Sequence, residues 1–547
     1  HHSSPRSKVS LPLVLVLIAG LSSHLLCLCL VLDYIRYSGF QCCVWFAFSS
    51  STPWLWSQFV EIGPSPEASD SSQRELLAVA AATFPSNVRA AMADPFVADG
   101  TKGQEFVLAP VDLDGLLISN PGYFGAQKEE RILDRLDMGP IDDPGRMREA
   151  GHCSASLVDA LWEQKGRLDS LFDAGDGPLY RRAVEELFTE NCRWGSGGVL
   201  GNRAGQKFPP LAKALNDFRE VFQATVEEGE SKEVVFLDIC GAPGGWSKYL
   251  FHLGSKENAR MKGYGFSLKE GTNPLSCHWY PELRANDNFI ELYGEDGTGD
   301  VSLSRNIDHT VKCLGHNVSI AVGDAGFGVG KSSQGEHLEN YQEIILSRLL
   351  IGEVRLALQT MVKGGCFVCK LFDTFSHLMA ETLLILAALF REVRISKPAN
   401  SRIVNSERYV LAEGFRGHEA PGVQPLVDML AHAHRQWPSE ALDLWSGSAP
   451  RRIVGDSLMS SRGAAAFLGS LKVMAESLCE QQTKQLKVAV DRACELKAQG
   501  HQGLRPTKRR RRNWKELQKE EEARFAKENE KSKDPKPSSG PLEALRT

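Results

Sequence analysis

The run VVFLDICGAPGGWSKYL, Val234 to Leu250, sets Asp238 near the end of an apolar stretch and follows it with Gly241, Pro243, Gly244 and Gly245. A strand that breaks into glycines and re-forms as a helix makes a turn on which a ligand can lie close to the backbone. Glycine has no Cβ to hold the ligand off, and a helix start offers unpaired N–H groups. The Gly-Lys-Ser/Thr ending of a P-loop is absent, and so is the spaced glycine fingerprint of a dinucleotide site. What remains is a small nucleoside cofactor. Asp238 can accept a hydrogen bond from it or balance a cationic group on it, and Asp300, in GEDGTGD, offers a polar contact from another loop. A tight strand-to-helix connection that holds no ligand is the competing reading.

Such a turn needs a sheet to present it. EVVFLDIC, MKGYGFSL, NVSIAVGDAG, GCFVCKLF and FREVRISKP are each of strand length, and they alternate with helical stretches such as Asn340 to Gln359 and Thr374 to Phe390. That rhythm predicts an α/β domain over residues 195–415, its sheet covered on both faces and its function at the strand ends. Residues 76–194 read as a mixed, mostly helical region, in which 85–140 have no assignable role. Residues 416–499 read as a C-terminal helical extension, and 500–547 as a charged, disordered tail. With 547 residues and 42% hydrophobic content the chain can bury one large core and a second small one. The 13 cysteines show no repeated ligand spacing, so they are expected to be reduced, and no metal is expected; Cys366 and Cys369 fall within a strand pattern.

The ordered blocks NRAGQK (202–207), DICGAPGGWSKY (238–249), GYGFSL (263–268), GDAGF (323–327), GGCFVCKLFD (364–373) and KPANSRIVNSERYV (397–410) resemble the FtsJ-like RNA ribose 2'-O-methyltransferases, and most closely their cap-specific mRNA branch. The resemblance covers about 210 residues strongly and extends weakly through Gln485. It implies a Rossmann-like, S-adenosyl-L-methionine-dependent methyltransferase fold with helical extensions. The reaction implied is methyl transfer to the ribose 2'-hydroxyl of the first transcribed nucleotide of capped mRNA.

The same resemblance places a Lys-Asp-Lys-Glu catalytic tetrad on Lys207, Asp324, Lys370 and Glu407. A ribose hydroxyl is a weak nucleophile, so its proton must be drawn away as its oxygen approaches the methyl carbon. Lys370 would act as a neutral base or, as an ammonium, would stabilise the developing alkoxide. Lys207 would lower its pKa, whereas Asp324 and Glu407 would raise it. Cofactor contacts are expected from Asp238, Cys240, Gly241, Pro243, Gly244, Gly245, Trp246, Asp300 and Asp324. RNA or cap contacts are expected from Lys269, Glu339, Asn340, Arg402 and Ser406. The chain departs from the family pattern at Trp246-Ser247-Lys248, at Ala325, and in a short insertion at Lys331 to Gly335.

The net charge of -5 conceals a basic run, Lys508 to Arg512, that reads as a nuclear-import signal or an RNA-binding tail. A nuclear location and contact with the transcription or capping machinery follow from the resemblance. Residues 1–75 read as an apolar segment and a linker. Leu11 to Leu32 lacks Asp, Glu, Lys and Arg, which meets the length criterion for a membrane span; a segment outside the translated protein is the alternative. Two other functions stand beside the main one: a ribosomal or other RNA 2'-O-methyltransferase, and a noncatalytic cap-binding adaptor that keeps the fold.

Overall fold

The computed structural model describes residues 13–21, 24–33, 41–49, 103–119, 136–188, 203–224, 233–437 apart from 274, 328 and 330–336, and 448–501 apart from 455. The insertion at Lys331 to Gly335 and the basic run at Lys508 lie outside these residues. The chain divides into two units, His1–Asp94 and Pro95–Thr547. In the first, β1 (Leu13–Leu21), β2 (His24–Asp33) and β3 (Gln41–Ser49) form an antiparallel sheet in which Leu13 faces Leu32. The apolar run expected as a single membrane span is a pair of antiparallel strands, each of which pairs its backbone groups with the other. Among the described residues no helix is long and apolar enough to cross a membrane.

The second unit is built on an eight-stranded sheet. In chain order the strands of this unit are β4 (Gln104–Leu108), β5 (Met138–Pro140), β6 (Glu233–Ile239), β7 (Arg260–Phe266), β8 (Phe289–Leu292), β9 (Val318–Gly323), β10 (Met361–Phe372), β11 (Phe390–Lys397), β12 (Glu407–Phe415) and β13 (Ser448–Pro450). The large sheet runs β4-β11-β12-β10-β9-β6-β7-β8, and β5 pairs separately with β13. Strands β8, β7, β6, β9 and β10 are mutually parallel; β12 runs against both β10 and β11. Chain order reverses between β6 and β9, which opens a crevice at the carboxyl ends of those strands.

Strand periodicity divides the interior in two. Val234, Phe236, Ile320, Val322, Cys366, Val368 and Leu411 point into one apolar cluster, while their alternates Leu237, Ile239, Ala321, Phe367, Cys369, Val410 and Ala412 point into the other. Cys366 and Cys369 therefore lie on opposite faces, as their strand pattern implies. The longer helices among the described residues are α1 (Ala155–Asp173), α2 (Gly177–Leu187), α3 (Arg203–Ala214), α4 (Gly245–Lys256), α5 (Ser304–Leu314), α6 (Ser347–Thr360), α7 (His377–Leu389), α8 (Val423–Gln436) and α9 (Ala465–Ala498). Helices α3 and α4 cover the first face through Phe208, Leu211, Trp246, Leu250 and Leu253, and α6 and α7 cover the second. The long α9 packs on α1 and α2 and joins the same larger core. Sequence reading did not foresee β4, which takes part of the 85–140 stretch into the sheet beside β11.

The turn that leads into α4 tolerates no Cβ at Gly244, where φ is +99° and an added Cβ would lie 2.2 Å from Leu283 Cδ1. Left-handed strain and overpacking combine there. Gly244→Ala should therefore lower the unfolding free energy by about 2–4 kcal/mol, read as a reduced urea midpoint with an unchanged slope.

Candidate active site

The glycine turn is held from beneath. Asp238 is fully buried, and its Oδ2 accepts hydrogen bonds from Ser247 N (3.2 Å) and Ser247 Oγ (2.5 Å), which fixes the first turn of α4. Burial pushes its carboxyl up to about 7 despite those bonds. Its Oδ1 has no hydrogen-bond partner among the described residues, and a Cβ on Gly241 would stand 1.8 Å from it. A backbone cradle beside an unused carboxylate oxygen suits a ligand that brings a positive charge or N–H donors. Cys240 donates its N–H to the Phe266 carbonyl, tying the turn to the end of β7.

Trp246 turns inward. Its indole N–H donates to the Ala204 carbonyl at 2.9 Å, and its ring stacks on Phe208 with centroids 4.6 Å apart. Ala204 and Phe208 belong to α3, which carries Lys207, so the turn and that lysine are locked to each other. Asp300 Oδ1 caps the Ser302 N–H at 2.9 Å, and the Lys269 N–H donates to Thr298, two residues before Asp300, at 2.7 Å. The loop after β8 thereby comes alongside the end of β7.

Four charged residues converge at the carboxyl ends of the parallel strands. Asp324 follows β9, and Lys370 lies near the end of β10, where Cys369 pairs with Gly323. Glu407 opens β12; because β12 is antiparallel to β10, its first residue lies opposite Phe372 at this same edge. Lys207 arrives from α3. Lys370 Nζ stands 3.0 Å from Asp324 Oδ1 and donates to the Asp324 carbonyl at 2.9 Å, and Lys207 Nζ donates to Glu407 Oε1 at 2.5 Å. Ser401 Oγ and Tyr409 Oη also donate to Glu407 Oε1.

Burial by itself would raise the Glu407 carboxyl, but Lys207 and Lys370 outweigh it and hold it at about 2. Burial acts to lower Lys370, and Asp324 and then Glu407 overcome it, keeping its pKa above the ordinary lysine value. Two residues absent from the sequence reading support the tetrad. Glu353, buried on α6, accepts the Ala325 N–H at 2.9 Å and so fixes the turn that presents Asp324; burial raises its carboxyl to about 8. Glu343 accepts from Phe375 N and Ser376 N beyond the end of β10. Neither had a signal, because a single glutamate among apolar helix residues does not reveal which loop it will meet.

The residues expected to meet RNA are dispersed around this edge. Lys269 is exposed, its Nζ 5.3 Å from the Tyr293 ring centroid, and Arg402 is exposed on the loop between β11 and β12. Glu339 and Asn340 stand on the turn Glu339–Tyr341, with Glu339 Oε2 3.5 Å from His337 Nδ1. Ser406 is buried, its Oγ directed to Gln342 Oε1 at 3.4 Å, so the fold turns it away from solvent.

A parallel sheet that reverses at a glycine turn, with a buried lysine–carboxylate cluster beside it, defines a Rossmann-like methyltransferase. Residues 202–415 match the family model described as FtsJ-like methyltransferase. The chain is 33% identical over 332 residues to cap-specific mRNA (nucleoside-2'-O-)-methyltransferase 1 of Trypanosoma cruzi, covering 60% of this chain and 84% of that protein. It is 36% identical over 262 residues to the protein of that name from Trypanosoma brucei brucei, covering 47% and 66% of the two chains. Against the human protein of the same name it is 30% identical over 282 residues, or 49% of this chain and 32% of the relative. The chain belongs to the FtsJ-like methyltransferase family.

Because Glu407 is held at about 2, against an ordinary 4.5, its ionised form stabilises the fold above pH 4.5, and that contribution is lost as pH falls from there toward 2. Glu407→Gln should cost about 3 kcal/mol at neutral pH. The gap between variant and wild type in urea unfolding should narrow on acidification through about pH 4.

Proposed function

We propose that this chain transfers the methyl group of S-adenosyl-L-methionine to the ribose 2'-hydroxyl of the first transcribed nucleotide of capped mRNA. The observation that carries the proposal is the meeting of Lys207, Asp324, Lys370 and Glu407 beside the glycine turn, through contacts of 2.5 and 3.0 Å. The names of the relatives supply the cap and the mRNA.

Bound S-adenosyl-L-methionine supplies an electrophilic methyl on a sulfonium. The backbone of Cys240, Gly241, Pro243, Gly244 and Gly245 would cradle it, with Asp300 and Asp324 contributing polar contacts. Asp238 would offer its Oδ1 to the cofactor while its Oδ2 holds the turn, and Trp246 would act through the turn, since its indole N–H is spent on holding it. Lys370 enters the reaction as an ammonium, because Asp324 and Glu407 favour its charged form. In that state it donates to the ribose oxygen and stabilises the negative charge that develops as the hydroxyl proton passes to solvent water. Asp324 orients this lysine through two contacts, and Glu407 holds Lys207 so that both ammonium groups border one position.

Only RNA presents the 2'-hydroxyl, and its phosphates favour basic partners such as Lys269 and Arg402. Glu339 and Asn340 are assigned to the cap base, and Ser406 acts through Gln342. A nuclear setting belongs to the same proposal, with Lys508 to Arg512 as its sequence support.

The test is transfer of a labelled methyl group to capped RNA lacking ribose methylation, to capped RNA already methylated at the first ribose, and to uncapped RNA, followed by nucleotide mapping. Label confined to the first ribose of the first substrate is expected. Equal labelling of uncapped RNA would favour the ribosomal reading, and cap binding without labelling would favour the adaptor. Lys370→Ala should lower kcat by about 10²- to 10⁴-fold with cofactor binding retained; turnover at the wild-type rate would remove Lys370 from the mechanism.

A further inference from the structure

Lys397, the last residue of β11, is buried and lies outside the four-residue cluster. Its Nζ is 2.6 Å from the Asn405 carbonyl, 2.8 Å from Asn405 Oδ1 and 2.7 Å from the Glu407 carbonyl. An ammonium has three N–H donors and no acceptor, so all three are used here. A neutral amine would have two donors, and its lone pair would face an oxygen.

The three acceptors stand at the far end of the segment 398–406, which joins β11 to β12. That segment touches two members of the tetrad or their neighbours. Ser401 Oγ donates to Glu407 Oε1 at 3.0 Å, and Asn400 Nδ2 donates to the Gln206 carbonyl at 2.6 Å, one residue before Lys207. The second contact has a cause in the sequence: Pro210, four residues after Gln206 in α3, has no N–H to give to that carbonyl. Arg402 stands exposed on the same segment. One lysine therefore closes a loop that contacts α3 on one side and the Glu407 carboxylate on the other.

We propose that Lys397 is a positioning residue for the methyl transfer, its ammonium clasping the loop 398–406 and so setting Glu407 and Lys207 relative to each other. The catalytic part of the inference rests on the proposed function; the clasp does not. Burial lowers the pKa of Lys397 to about 7. Glu407 and Asp373 favour the charged form, and Arg408 and Lys207 oppose it. On the strand packed to the other side, Glu105 lies 3.6 Å from Arg394. The three acceptors, Glu407 and Asp373 thus hold the ammonium in place against the burial that opposes its charge.

Amide hydrogen exchange of the full chain, followed by peptide mass spectrometry and corrected for intrinsic rates, tests the clasp without requiring turnover. Peptides over 398–408 should be about tenfold less protected in Lys397→Met than in the wild type, relative to peptides of β6 and β9. Lys397→Arg, which keeps a cation with N–H donors at this position, should retain most of that protection. In the methyl-transfer assay Lys397→Met should lower kcat by about tenfold or more with the KM for S-adenosyl-L-methionine within about twofold. Wild-type protection over 398–408 in a folded Lys397→Met protein would overturn the clasp; should that variant fail to fold, wild-type peptides over 398–408 as unprotected as those of exposed loops would overturn it. A wild-type kcat in a folded Lys397→Met protein would overturn the positioning role. Absence of methyl transfer from every wild-type assay would instead refute the proposed function, while the exchange data would still decide the clasp.

Discussion

Charge balance in a buried place is the constraint on which the site depends. An isolated ammonium or carboxylate taken out of water costs several kcal/mol, and removing one partner of a buried pair strands the other. Lys207, Asp324, Lys370 and Glu407 carry no net charge as a set of four, and two close contacts divide them into compensated pairs. Topology makes that balance possible. Asp324 and Lys370 lie at the carboxyl ends of neighbouring parallel strands, but Glu407 begins its strand. Were β12 parallel to β10, its first residue would sit at the opposite edge of the sheet, and Lys207 would be buried without a carboxylate.

Around the balanced cluster a second group of acids does different work. Asp238 holds Ser247, Glu353 holds Ala325, Glu343 holds Phe375 and Ser376, and Glu381 on α7 holds Ile453 and Val454. In each case a buried carboxylate accepts a backbone N–H from a loop or a helix's first turn that would otherwise leave a donor unsatisfied. Burial raises the first three toward neutrality, to about 7, 8 and 7 for Asp238, Glu353 and Glu343. Glu407 moves in the other direction because its neighbours are ammonium groups. Acids of similar burial are thus separated by their partners into those that position backbone and one, Glu407, that stays ionised beside Lys207 and Lys370.

This separation explains what the sequence revealed and what it did not. The glycine turn and the strand rhythm were legible because backbone demands act locally: Gly241 has no room for a Cβ, and apolar residues in β6 and β9 alternate between two cores. The four charged residues were legible only through ordered motifs, since nothing local says that residue 207 will meet residue 407. Glu353 and Glu343 were missed for the same reason, having no motif to mark them. Trp246 read as a cofactor neighbour because it follows the turn, yet its partners Ala204 and Phe208 are some 40 residues upstream. The run Leu11 to Leu32 shows the converse limit. Hydropathy measures how apolar a segment is and is silent about whether it turns back on itself.

The boundary between a family domain and its flanks is not a boundary in the packing. Lys165, on α1 and outside the matched residues 202–415, is buried with its Nζ 3.5 Å from Asp373 Oδ2 and 3.4 Å from the Glu339 carbonyl. Asp373 Oδ1 in turn accepts from Arg408, next to Glu407, at 3.2 Å. Asp373 and Arg408 are both almost wholly buried, and Lys165 adds a charge to that pair from α1. Helix α1 is held in its turn by α9, through Arg167 and Asp491 at 2.6 Å and through the common apolar core. The helical flanks therefore contribute to the electrostatics beneath β10 and β12, and the matched segment alone would lack the charge that Lys165 places beside Asp373.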